Sequence, residues 1–136
     1  MRMSLAAVAL AVMPVTAMAD TRIYECTMKN LAPTMGWIAE KYVISYDDAA
    51  GKATVDDPIT LHFVGEPGDA KVTGKTDKKI AFVWLVQARD SASQQAKIQY
   101  RAAVYVDGTV TITARPGGYG NMFEARGTCT VKKAKG

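Results

Sequence analysis

From Arg22 to Lys132 the apolar residues recur with a period of two, and almost no segment carries a sustained 3.6-residue stripe. A period of two describes a pleated strand with one face turned to a core. The pattern predicts strands over residues 22–28, 37–46, 53–55, 59–63, 70–76, 79–89, 97–106, 109–115 and 122–132. Turn chemistry separates them. Asp47-Asp48-Ala49-Ala50-Gly51 and Gly65-Glu66-Pro67-Gly68-Asp69 are turn clusters, and Asp56-Asp57-Pro58 interrupts the ladder because proline donates no hydrogen bond. Asp107-Gly108, between two alternating runs, is the strongest hairpin signal in the chain.

The alternation also names a core. Tyr24, Cys26 and Met28 share one face, as do Tyr100, Ala102, Val104 and Val106; Val110, Ile112 and Ala114; and Phe123, Ala125, Cys129 and Val131. In the run from Ile80 to Val86, Ile80, Phe82, Trp84 and Val86 alternate with Ala81, Val83 and Leu85, so both faces are apolar. That strand is central or has its outer side covered. About eight short strands with hairpin-length connections specify an all-β domain, either a small antiparallel barrel or a two-sheet β-sandwich. The two cysteines favour the barrel. Cys26 and Cys129 lie in the first and last strands, which are neighbours in an up-and-down barrel, and an even count in a small exported domain implies a disulfide. Tyr24, Tyr42, Phe63, Phe82, Trp84 and Tyr100 are bulky enough to fill the lumen of such a barrel.

Residues 1–19 have the organisation of a removable export signal. Arg2 supplies the positive charge, Leu5 to Val15 form an eleven-residue apolar run, and Ala17-Met18-Ala19 is a small-x-small cleavage site. Cleavage before Asp20 leaves one domain over residues 20–136, periplasmic or secreted. A membrane anchor would need about 20 apolar residues, and this run is shorter and broken by Pro14. Losing the signal removes one of 17 basic residues and none of 13 acidic ones, so 16 against 13 leaves a net charge of +3. No cluster of Lys and Arg suits a nucleic acid. With 49% apolar and 22% charged residues, the chain can bury a core and is not disordered.

Recognisable chemistry is sparse. His62 is the only histidine, and alternation between Leu61 and Phe63 places it on a wet outer face. Ser45, Ser91 and Ser93 lack a nucleophile-elbow context. Asp47, Asp48, Asp56 and Asp57 cluster without a known Ca²⁺-loop spacing, and turn formation explains them. No enzyme, cofactor or metal site is implied, which points to a binding protein whose partner is another protein or, if the lumen stays open, a small apolar ligand. One segment exceeds ordinary turn chemistry. Arg115, Pro116, Gly117, Gly118, Tyr119, Gly120 and Asn121 form a glycine-rich loop before the last strand, with Tyr119 projecting as a recognition tip or folding back as a plug over the barrel end.

Gly36-Trp37-Ile38, Val55-Asp56-Asp57-Pro58, Phe82-Val83-Trp84, Tyr100-Arg101-Ala102, and the stretch from Arg115 through Gly127-Thr128-Cys129 resemble a family of small exported proteins of alphaproteobacteria. That resemblance covers most of the mature chain and implies source and compartment without an activity. Tyr24-Glu25-Cys26 is also similar to the opening of the periplasmic lysozyme inhibitors of the membrane-bound C-type-inhibitor class, which are small disulfide-containing barrels. This second resemblance implies a strongly basic enzyme as partner. A charge of +3 has the wrong sign for it, and the inhibitors' Ser and Lys binding motif has no counterpart placed in this chain.

Overall fold

The computed structural model describes residues 21–89, 95–117 and 120–133; the export signal read in residues 1–19 lies outside them. Eight antiparallel strands close into a barrel in chain order: β1 (Thr21–Lys29), β2 (Lys41–Asp47), β3 (Lys52–Asp56), β4 (Gly68–Lys75), β5 (Lys79–Arg89), β6 (Gln95–Tyr105), β7 (Thr109–Pro116) and β8 (Phe123–Lys133). The sandwich alternative is set aside, because β8 returns to pair with β1 and leaves no open edge. In that seam Cys26 stands directly opposite Cys129, and the two form a disulfide across a sequence separation of 103. Constraining a loop of that length in the unfolded chain stabilises the fold by up to about 4.7 kcal/mol. The bridge fits a protein that works outside a reducing cytosol. Among the described residues no helix is long and apolar enough to cross a membrane.

Alternate residues of every strand meet inside. Tyr24, Tyr42, Tyr46, Phe82, Trp84 and Tyr100 are all buried there. Trp84 stacks on Tyr100 with ring centroids 5.5 Å apart, and Phe82 meets the edges of Tyr24 and Tyr46, each at 5.7 Å. Each such pair contributes about 0.5–1.5 kcal/mol beyond its buried area. The centre of the lumen is therefore filled by rings. On the outer face of β5, Ala81 is buried and Val83 half-buried, whereas Leu85 is 63% exposed. The double apolar face of this strand is covered over only part of its length.

Three expectations need correction. Residues 59–63 are not a strand but lie in a helix, α1 (Pro58–Val64), which packs against β5. Asp57, in an extended conformation, caps it: its carboxylate accepts from the Ile59 and Thr60 N–H groups at 2.9 and 3.0 Å and from the Thr60 hydroxyl at 2.5 Å. Pro58 fits the first turn, where its missing N–H costs nothing, and Gly65 at φ +86° ends the helix. Phe63 consequently sits exposed on α1, and Tyr46 takes a place in the lumen. His62 is exposed, but on a helix.

The second correction shortens the run at 37–46. β2 starts at Lys41, and Trp37, Ile38 and Ala39 belong to the connection before it. Third, Val106 and Val131, assigned by alternation to the core face, are 77% and 52% exposed. Val106 lies just beyond the end of β6 and Val131 near the end of β8, where the lumen opens.

Candidate functional site

Because successive strands run in opposite directions, the connections divide between the two ends of the barrel. One end carries tight turns at 48–51, 76–78 and 106–108. The other end carries the longer connections 30–40 and 57–67 and the strand termini that flank residues 90–94 and 118–119, which lie outside the described residues. Binding residues concentrate on loops positioned by a rigid scaffold, and barrel mouths are common sites. The loop end is the candidate site.

The 30–40 connection is built by local rules. A 3-10 turn at Ala32–Thr34 is pinned by the Thr34 hydroxyl donating to the Leu31 carbonyl at 2.6 Å. Asn30 and Met35 adopt left-handed backbone at φ 55° and 52°, a conformation that costs a residue bearing a Cβ about 1 kcal/mol or more. Met35 is held there 79% exposed. After Gly36 at φ +82°, Trp37 stacks on Phe123 at the start of β8, with centroids 5.9 Å apart and planes 18° apart. Met122, half-exposed, precedes Phe123. Two methionines and two aromatic rings therefore share the loop end, a combination of adaptable and rigid apolar groups suited to contact.

Two lumen tyrosines hold this connection from below. The Tyr100 hydroxyl donates to the Trp37 carbonyl at 2.7 Å, and the Tyr42 hydroxyl accepts from the Ala39 N–H at 2.9 Å. Burial pushes both phenols far above their ordinary pKa. Their hydrogen bonds make them struts beneath the connection. Asp57 also lies buried toward this end, and burial raises its carboxyl above the usual range against the opposing pull of its bonds to Thr60 and Ile59.

Of the glycine-rich loop, Arg115 ends the wet face of β7 opposite Gln99, and Arg115, Gly117 and Asn121 are exposed at the same end as Trp37 and Phe123. Gly118 and Tyr119 lie outside the described residues. Gly117 also has a structural role: its N–H donates to the Lys97 carbonyl at 2.6 Å, and a Cβ there would lie 3.0 Å from that oxygen. Three of the four clustered aspartates are occupied by local partners. Asp47 accepts from the Ala50 N–H, Asp48 pairs with Lys75 at 2.7 Å and accepts from the Tyr46 hydroxyl, and Asp57 caps α1. Among the described residues no cluster of three or more His, Cys, Asp or Glu is placed to hold a metal ion. His62 meets the edge of Phe63 at 4.8 Å on the exposed side of α1.

Sequence reasoning missed Met35, Trp37 and Met122. The available signal was Met35-Gly36-Trp37, two large side chains around a glycine after Pro33, where no strand face exists to bury them. Comparison with protein-family models, with curated proteins and with solved structures found no match to this chain.

Proposed function

We propose that the protein is a non-enzymatic binding protein of the periplasm or extracellular space that engages a protein partner with the loop end of its barrel. The observation that carries this reading is the segregation of long connections to one end, where Met35 and Met122 are exposed close in the chain to the half-buried Trp37–Phe123 stack, on a base tied to the core by Tyr42 and Tyr100. Pre-organised apolar anchors lose little entropy on binding. Filling of the lumen by aromatic rings supports this reading over a carrier that holds an apolar ligand inside the barrel. The signal-like segment at 1–19 and the disulfide support export.

Site-specific photo-crosslinking in living cells tests the assignment. A photoreactive residue at position 35 or 122 is expected to label one discrete partner, and the same residue at position 107, in the opposite end's turn, is expected not to label it. Equal labelling from both ends, or none from 35 and 122, would remove the reading. Intact mass of the exported protein is expected to begin at Asp20.

A further inference from the structure

We infer that the turn-bearing end of the barrel is a separate binding site for a long-chain carboxylate, its chain on the apolar mouth and its anionic head between Arg22 and Lys133. A groove of about 320 Å³ opens there. Its floor is made by the outer reaches of Tyr24, Ile80 and Val104, and its walls by Val106 and Val131, the two valines that alternation assigns to the core but that stand open to water. Exposed aliphatic side chains beside an open mouth are the contact surface an acyl chain requires.

The charges around it have one sign. Arg22, Lys79 and Lys133 line the groove, and no carboxylate does so among the described residues. Arg22 and Lys133 are register partners across the β1–β8 seam, on the side of the strands that carries Tyr24 and Val131. Like charges directly opposite in a ladder are destabilising unless an anion sits between them. The acids in the turns of this end already have partners: Asp48 pairs with Lys75 and also feels the charge of Arg22, and Asp107 accepts from the Thr109 N–H and hydroxyl at 2.9 and 2.7 Å. Lys79 lies over the Tyr105 ring, 6.0 Å from its centroid, on the opposite rim.

An acidic peptide would satisfy the charges but not its own backbone. A peptide that binds by adding a strand needs a free edge, and a closed barrel has none. An acyl chain carries no polar group along its length. The occupant is therefore an amphiphile with one anionic head, and the inference stands apart from the partner surface at the loop end.

Calorimetric titration of the purified protein with dodecanoate, below its micelle concentration, is expected to show saturable binding of one chain. Dodecanol, with the same chain and no charge, is expected to bind at least about tenfold more weakly, and Arg22→Gln with Lys133→Gln to weaken dodecanoate by at least about tenfold. Because the pair repels, this double variant is expected to melt no lower than the parent, so lost binding cannot be lost folding. Val131→Asp, which places an acid beside the chain, is expected to abolish binding. Absence of saturable binding, undiminished affinity in the double variant, tighter binding of dodecylammonium, or binding of an acidic peptide in place of dodecanoate would each overturn the inference.

Discussion

Two single residues carry disproportionate weight. Asp57 is both a helix cap and a buried acid, and the two roles pull its chemistry in opposite directions. Asp57→Ala is expected to cost about 1–2 kcal/mol in urea unfolding, because the Ile59 and Thr60 amides lose their acceptor. Its carboxyl titrates higher folded than unfolded, so its contribution is greatest below the ordinary carboxylate pKa and is lost as pH rises toward the native value. Asp48 and Asp107 are shifted down, by Lys75 and by Thr109 respectively, and theirs is present above the ordinary value and lost as pH falls. Asp57→Asn keeps an acceptor for the cap and removes the opposing titration, so its unfolding midpoint is expected to rise more steeply than the parent's between about pH 3 and pH 6. An equal or shallower slope would contradict the assignment. Gly127 is the other residue. A Cβ there would overlap the Thr27 carbonyl across the seam, and Gly127→Ala is expected to cost about 2 kcal/mol or more by the same measurement. His62, exposed on α1, is the contrast: His62→Gln is expected to change stability by less than about 0.5 kcal/mol.

At the scale of elements, the strands were legible because one face of each meets a filled interior, and that condition writes itself as alternation. Thr109 to Arg115 and Arg22 to Met28 show it cleanly. α1 was not legible by period, since seven residues span barely two turns and Ile59, Thr60 and Val64 are β-branched. Its signal lay in chemistry instead: Asp57 before Pro58 and Gly65 after Val64 are a cap, a first-turn residue and a stop. The same blindness merged the segment from Trp37 into β2, since Ile38 continues the inward parity of Tyr42, Ile44 and Tyr46 while lying in a loop. The glycine-rich loop could be found from composition, but its companion surface at Met35 and Met122 depends on which end each connection leaves from, which only the topology shows. The β1–β8 seam was legible from two cysteines. Cys129→Ala is expected to cost about 2–5 kcal/mol, and the parent to show no alkylatable thiol before reduction; two free thiols would sever the seam argument.

The two proposed binding surfaces lie at opposite ends of one axis. Rings occupy the middle, an adaptable apolar surface faces one way, and a cation-rimmed mouth faces the other. Substitutions at one end are expected to leave the other's binding intact, since the rigid interior between them offers no second arrangement through which to couple. Closure of the seam by the first and last strands also sets a timetable for the growing polypeptide. Until residues 123–133 arrive, β1 presents an unpaired row of backbone donors and acceptors and Cys26 has no thiol to oxidise with. Contacts of such long sequence separation form late. Without β8 the barrel would have two unpaired edges, β1 and β7, so it is the last strand that closes both borders against misassembly.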